Sequence, residues 1–420
     1  MLAIAVALQE RGFSPVVSVG QPYVEVVQRR GLTAVSIMDR QQFQQFLDRP
    51  GLWTTWGSRM LLAEAIPNCL RAHWDVLQRH YRPGNTVLVA HPLDLASRVF
   101  RDCNPQVPLA SVHLAPATLR TPREPPKLTA WPLEPRRPVA LMKALYWLAD
   151  LAVLGPIVSK PLNQFRHQLG LPAIRRPLNH WWYSPDLLLA MFPEWFGPRA
   201  RVLPSQTRCV GFALDDGPVD ATQEETLNMI RQRLRTAKTP ATPAHAPLVI
   251  TAGTAHRQAR RFFRLAIDAA VDLDWPTILV SPQPDQIPTD LPPHFIASQY
   301  VSLSALLPEA GGIVHHGGVG TTAVALASGC PQLIIPRAFD QFDNSRRVSR
   351  LSCGLQIRQA HLTRKTLRHG LTRLKEDPEI TRAARTIATR FRSDRHPPVT
   401  AAMQAAEAIA KLFQNRVKAS

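Results

Sequence analysis

The stretch that most restricts what this chain can become runs from Gly311 to Asn344: GGIVHHGGVGTTAVALASGCPQLIIPRAFDQFDN. A short apolar strand at Ile313 and Val314 is followed by two histidines, a glycine-rich turn, an Ala-rich helix stopped by Gly329 and a second strand over 333–335. Strand, glycine turn and helix in that order are the parts of a parallel α/β sheet. A glycine turn that opens a helix lets backbone approach a ligand closely and aims unpaired N–H groups at one point. That arrangement suits a phosphate or diphosphate, and imidazoles at its lip add hydrogen bonds to the anion.

The same rhythm fills both ends of the chain. Residues 1–11 read as a helix stopped by Gly12, 16–19 as a strand, 22–30 as a helix ended by Gly31, and 34–37 as a strand. Because the series starts with a helix, the first strand and loop of such a sheet are expected before Met1. A helical region over 53–80 leads to a strand ending at His91, and a helix over 94–100 leads to a strand ending at His113. Ligands of open α/β sheets gather beyond the carboxyl ends of strands, so these imidazoles read either as site residues or as packed structural ones. A polar helix precedes the tract TAKTPATPAHAP, which has the composition of a linker; strands at 248–251, 277–280 and 295–297 then alternate with helices, and after Asn344 come a basic helix, a loop and helices over 363–375 and 379–391. The expected division is an N-terminal domain over 1–214, a linker over 215–247, a second domain over 248–396 and a closing helix over 397–420.

With 420 residues, 45% of them apolar, the chain is long enough for two cores. Its 50 basic and 31 acidic residues give +19, which draws anions of every kind. The arginines are scattered (Arg257, Arg260, Arg261, Arg264, Arg346, Arg347, Arg350) and read as solvated faces, so nucleic acid is not an expected partner. Five cysteines without CxxC spacing point to neither a disulfide framework nor a metal site, and a reducing cytoplasm fits. The apolar opening lacks a basic leader. The apolar stretch 139–158 contains Lys143, Asp150 and Pro156, which argues for a buried or membrane-surface helix over a spanning one, with peripheral contact to an anionic membrane allowed by the charge.

Gly318, Gly320 and Ala323 satisfy the loose GxGxxA dinucleotide fingerprint, with Asp340 twenty positions beyond Gly320, so an NAD-dependent oxidoreductase has to be considered. Against it, a ribose-binding acid belongs at the tip of the second strand, whereas Asp340 lies beyond Pro336. That fingerprint also has no use for paired histidines.

HHGGVGTT followed by GCPQLIIPRAFDQFDN resembles the donor-binding signature of the UDP-glycosyltransferase superfamily, in particular its bacterial rhamnosyltransferase and sterol-glucosyltransferase-like branch. VLVAHPLDLASR, SVHLAPATLR and WWYSPDLLLAMFPEWF extend the likeness towards the N-terminus. The resemblance implies an α/β chain of GT-B fold, two Rossmann-like domains facing each other across a cleft. It implies a hexosyltransferase that moves a hexose or deoxyhexose, with inversion, from a UDP- or dTDP-sugar to a hydroxyl of a lipid-like or other apolar acceptor, without cofactor or metal. His316 would contact the diphosphate, helped by Gly318, Gly320, Thr321 and Thr322, with Gly253 and Thr254 approaching from the other side. Tyr300 would stack on the base, Val301 would bond its edge, and Asp340 and Gln341 would hold the sugar hydroxyls, while His315 supports the turn. Val324 stands where many members place a ribose-binding glutamate. The general base of the superfamily lies on or after the first loop, expected before Met1. Within the chain His91, His113 and Asp94 are the nearby candidates, and a non-catalytic nucleotide-sugar-binding protein is the alternative.

Overall fold

The computed structural model describes residues 1–54, 57–129, 138–214, 221–236, 246–253, 258–391 and 400–417, arranged in two compact units. The first comprises Met1–Pro126, Leu133–Ala213 and Val399–Ser420; the second comprises Lys127–Pro132 and Leu214–Pro398.

In the first unit, β1 (Val16–Gly20) and β2 (Thr33–Met38) pair in parallel as a two-stranded sheet. A separate parallel sheet has the order β3 (Leu88–Ala90), β4 (Leu109–His113), β5 (Leu187–Ala190), β6 (Thr207–Cys209). Every residue of β4 and β5 is buried, as expected of unbroken apolar runs in a parallel sheet covered on both faces. Asp186, just before β5, is a staple: it takes a bidentate pair from Arg101, the Leu109 N–H at 3.1 Å and Arg416 at 2.7 Å. Arg416 lies on the last helix, Ala401–Val417, whose Ala401, Ala402, Ala405, Ala406 and Ile409 bury against Ile4, Ala7 and Leu8 of the first helix and Val112 of β4. The closing segment is therefore part of the N-terminal unit, because its alanine face fills that core.

The second unit has six parallel strands: β7 (Leu248–Thr251), β8 (Thr277–Val280), β9 (Phe295–Ser298), β10 (Gly312–His315), β11 (Gln332–Ile334) and β12 (Gly354–Gln356). Their order is β12-β11-β10-β7-β8-β9, so the chain winds one way from β7 and the other way from β10. Between β7 and β10 lies the switch point where doubly wound sheets bind ligands. Three expectations change here. The polar helix of the expected linker region is present, Ala221–Thr236, but it belongs to the core, burying Leu227 and Ile230 among Val249, Ile278 and Val324; the tract 237–245 lies outside the described residues. Arg346 and Arg347 do not belong to a solvated face, since both are buried on the fully buried Asp343. And a loop expected after the basic helix holds β12, three residues too short to show a period.

Candidate functional site

All six strands of the second unit run the same way, so the segments leaving β7, β9, β10 and β11 reach one edge of the sheet. This edge carries Gly253 after β7, Tyr300 after β9, His316 after β10 and Asp340 after β11. The helix Val319–Ser328 starts here, with Gly318 as N-cap, and its other end is closed by Gly329 in the left-handed conformation. The first-turn N–H groups and the positive end of the helix dipole are thus presented at the switch point, where the Asp340 carboxyl accepts from the Val319 N–H.

The imidazole of His316 fits between two glycines. A Cβ on Gly253, which has φ +83°, would lie 2.3 Å from His316 Cε1, and a Cβ on Gly318 would lie 2.5 Å from its Nε2. Its Nδ1 is buried without a hydrogen-bond partner. Burial, followed by the nearby Arg337 charge, lowers its pKa to about 4, so the ring is neutral at ordinary pH. His315 is fully buried and committed: Nδ1 accepts the Gly317 N–H at 3.1 Å, which leaves Nε2–H to donate to Gln332 Oε1 at 3.0 Å. It holds the turn, as the resemblance implied.

The DQFDN segment separates into roles. The carboxyl of Asp340, before helix Gln341–Arg350, accepts from Asn344 Nδ2 at 2.7 Å, and the same amide donates to the Gly317 carbonyl at 2.9 Å, tying the two turns together. Burial raises the Asp340 pKa to about 6 despite these bonds. Gln341 Oε1 accepts the N–H groups of Arg337 and Ala338, so only the amide NH₂ is left for a ligand. Asp343 points away into its arginines and the Lys127 N–H.

Of the other expected donor contacts, Gly320 is exposed at the turn, while Thr321 is partly buried beside it. Thr322 is fully buried; its N–H serves the Gly318 carbonyl and its hydroxyl is without a partner. Tyr300 is 46% exposed, whereas Val301 sinks into the core with Ile296 and Leu306. Thr254 lies outside the described residues.

In the first unit, β3 and β4 are neighbours, and His91 and His113 leave their ends together. Thr118 donates its hydroxyl to the Ala115 carbonyl and so accepts from His113 Nδ1, at 2.9 Å; the buried His113 Nε2 has no partner. Burial lowers His113 to about 3 and His91 to about 4. Asp94 caps helix Leu95–Cys103 through Ser97 and takes His73 Nδ1 at 2.9 Å, contacts that hold its pKa low despite burial. Both His73 and Arg337 escape a sequence reading. His73 sits on helix Ile66–His80, well separated in sequence from Asp94, and Arg337 follows β11 as one arginine among many.

Residues 264–407 match the family model for the erythromycin biosynthesis protein CIII-like C-terminal domain. Aclacinomycin-T 2-deoxy-L-fucose transferase of Streptomyces galilaeus is 33% identical over 144 residues, 33% of this chain and 33% of that protein. The 10-deoxymethynolide desosaminyltransferase of Streptomyces venezuelae is 32% identical over 96 residues, 23% of this chain and 22% of that one. The match thus spans about a third of the first relative's length or less. In three dimensions the likeness is longer. The glycosyltransferase of kitacinnamycin superposes with TM-score 0.70 at 18% identity, covering 98% of this chain and 95% of its own. The glycosyltransferase VinC, in complex with dTDP, does so with 0.66 at 20%, covering 99% and 96%. The chain has the GT-B fold, built from two Rossmann-like units.

Proposed function

We propose that this protein is a member of the UDP-glycosyltransferase superfamily that transfers a deoxyhexose from a dTDP- or UDP-sugar to a hydroxyl of an apolar small molecule, inverting the anomeric carbon. The observation that carries this reading is the neutral His316, its Nδ1 buried and without a partner, set between Gly253 and Gly318 at the start of helix Val319–Ser328. As the acceptor oxygen attacks C1, negative charge grows on the departing diphosphate. Fixed N–H groups and the imidazole stabilise that charge more in the transition state than before it. Asp340 accepts hydrogen bonds from the sugar hydroxyls and the Gln341 NH₂ donates one. Val324 is buried among apolar neighbours and offers nothing to a ribose hydroxyl, which favours a 2′-deoxyribose nucleotide. Relatives named as 2-deoxy-L-fucose and desosaminyl transferases support a deoxysugar.

Thermal denaturation with dTDP, UDP and NAD tests the reading. dTDP is expected to raise the melting temperature most and NAD not at all. Stabilisation by NAD alone returns the site to the dinucleotide class. Binding of dTDP without transfer or hydrolysis of a labelled dTDP-deoxysugar, over a range of apolar acceptors, indicates a binding protein.

A further inference from the structure

Residues Val139–Gln168 form one continuous helical run whose two faces differ sharply. The inner face is fastened to the first unit. Met142 and Val158 are buried, and Asp150, 3% exposed, is held by Arg120 and Arg176 at 2.8 Å each. Arg120 also stacks on Tyr146, 4.6 Å from the ring centre. The outer face carries Leu141, Leu145, Trp147, Leu148, Leu151 and Val153, between 39% and 60% exposed. Soluble surfaces scatter such residues singly, and a contiguous patch marks an interface.

The charges around the patch choose its occupant. Lys143 is exposed on the same helix and Lys160 is exposed beyond the patch. The one carboxylate of residues 139–159, Asp150, is turned inward and neutralised. A second copy would bring another +19 to the contact and be repelled. An anionic bilayer attracts the same charges. It accepts an apolar helix face without a complementary groove, seats tryptophan at its interface and lets lysines reach the headgroups. The run is long and apolar enough to cross a membrane, but the buried ion pairs of its inner face hold it against the protein, so it lies in the membrane plane. We propose that the outer face of residues 139–153 seats this protein on an anionic bilayer surface, where apolar acceptors also accumulate.

Centrifugation of the purified chain with phosphatidylcholine vesicles, and with vesicles in which part of that lipid is replaced by phosphatidylglycerol, tests the proposal. The wild type is expected to pellet with the mixed vesicles, and less with phosphatidylcholine alone. Leu148→Glu with Leu151→Glu, at positions more than half exposed, is expected to lower the partition at least about tenfold with an unchanged melting temperature. Lys143→Glu is expected to weaken binding to the mixed vesicles only, whereas a folding defect lowers both. A wild type that stays in the supernatant overturns the proposal, as does a double variant that pellets like the wild type. So does a dimer, seen by light scattering, that the double variant breaks while neither protein pellets. Binding of dTDP, measured in parallel and expected to be the same in every variant, keeps this outcome separate from that of the proposed transfer.

Discussion

In its proposed role His316 acts through a neutral ring. With its pKa near 4 in the ligand-free protein, it would offer a diphosphate one hydrogen bond without a full charge. His316→Ala is expected to reduce kcat about 10²–10³-fold, the usual loss on removing one donor to a developing oxyanion, with a smaller change in dTDP affinity. A variant with wild-type kcat removes the assigned role. Asp340 behaves oppositely. Its folded pKa, about 6, lies above the ordinary carboxylate value, so the folded state holds the proton more tightly and ligand-free stability declines as pH rises from about 4 to about 6. The decline is at most on the order of 2–3 kcal/mol. Asp340→Asn should abolish it, giving a protein more stable at pH 7 than the wild type but slower in transfer. Urea denaturation at pH 4 and pH 7 measures the first effect, and equal pH dependence in both proteins refutes it. Side by side in sequence, His315 and His316 look alike. They are separated by what no spacing reports: Gln332 and the Gly317 N–H saturate one ring, and two glycines leave the other without a partner. Of DQFDN, likewise, composition shows two carboxylates, and only the fold reveals that Asp343 is spent on arginines.

Among elements, the turn after β7 has the narrowest tolerance. Gly253 combines a left-handed φ with contact to the His316 ring, so Gly253→Ala is strained in backbone and displaces the imidazole. About 1–2 kcal/mol of stability should be lost, and dTDP affinity at least about tenfold; calorimetric titration with dTDP reads the second. Unchanged affinity contradicts the placement of His316 at the phosphates. Strands of the inner sheets were legible because parallel strands buried on both faces are unbroken apolar runs, such as LVIT and TILV. Helix Ala221–Thr236 was not read as part of a core, because its buried residues Leu227 and Ile230 are outnumbered by polar ones beside a Thr-, Ala- and Pro-rich tract. Ile230 is fully buried, so Ile230→Ala should cost about 2–4 kcal/mol, as a core position does and a linker position does not. Denaturation midpoints decide between them.

At the scale of the molecule, the two units are unequal versions of one design. In the second, β7 sits between β8 and β10 and supplies the turn with Gly253. Among the described residues of the first, no strand takes the corresponding place between β1 and β3, and β1–β2 stand as a sheet of their own. The described residues of the proposed donor site, Gly253, Tyr300, His316, Asp340 and Gln341, all belong to the second unit. A nucleotide that binds there stabilises that unit by RT ln(1 + [L]/Kd), about 2.7 kcal/mol at a hundredfold excess over Kd, and does nothing directly for the other. The first unit instead leans on the far end of the chain, where Ala405, Ala406 and Ile409 cover Ile4 and Leu8 and Arg416 reaches Asp186. Scanning calorimetry should therefore resolve two transitions. dTDP should raise only one of them, and Ile409→Ala should lower only the other, by a few degrees for a core truncation of about 2–4 kcal/mol. A single transition moved by both would mean that the units unfold together and that the closing helix stabilises the donor site as much as its own core.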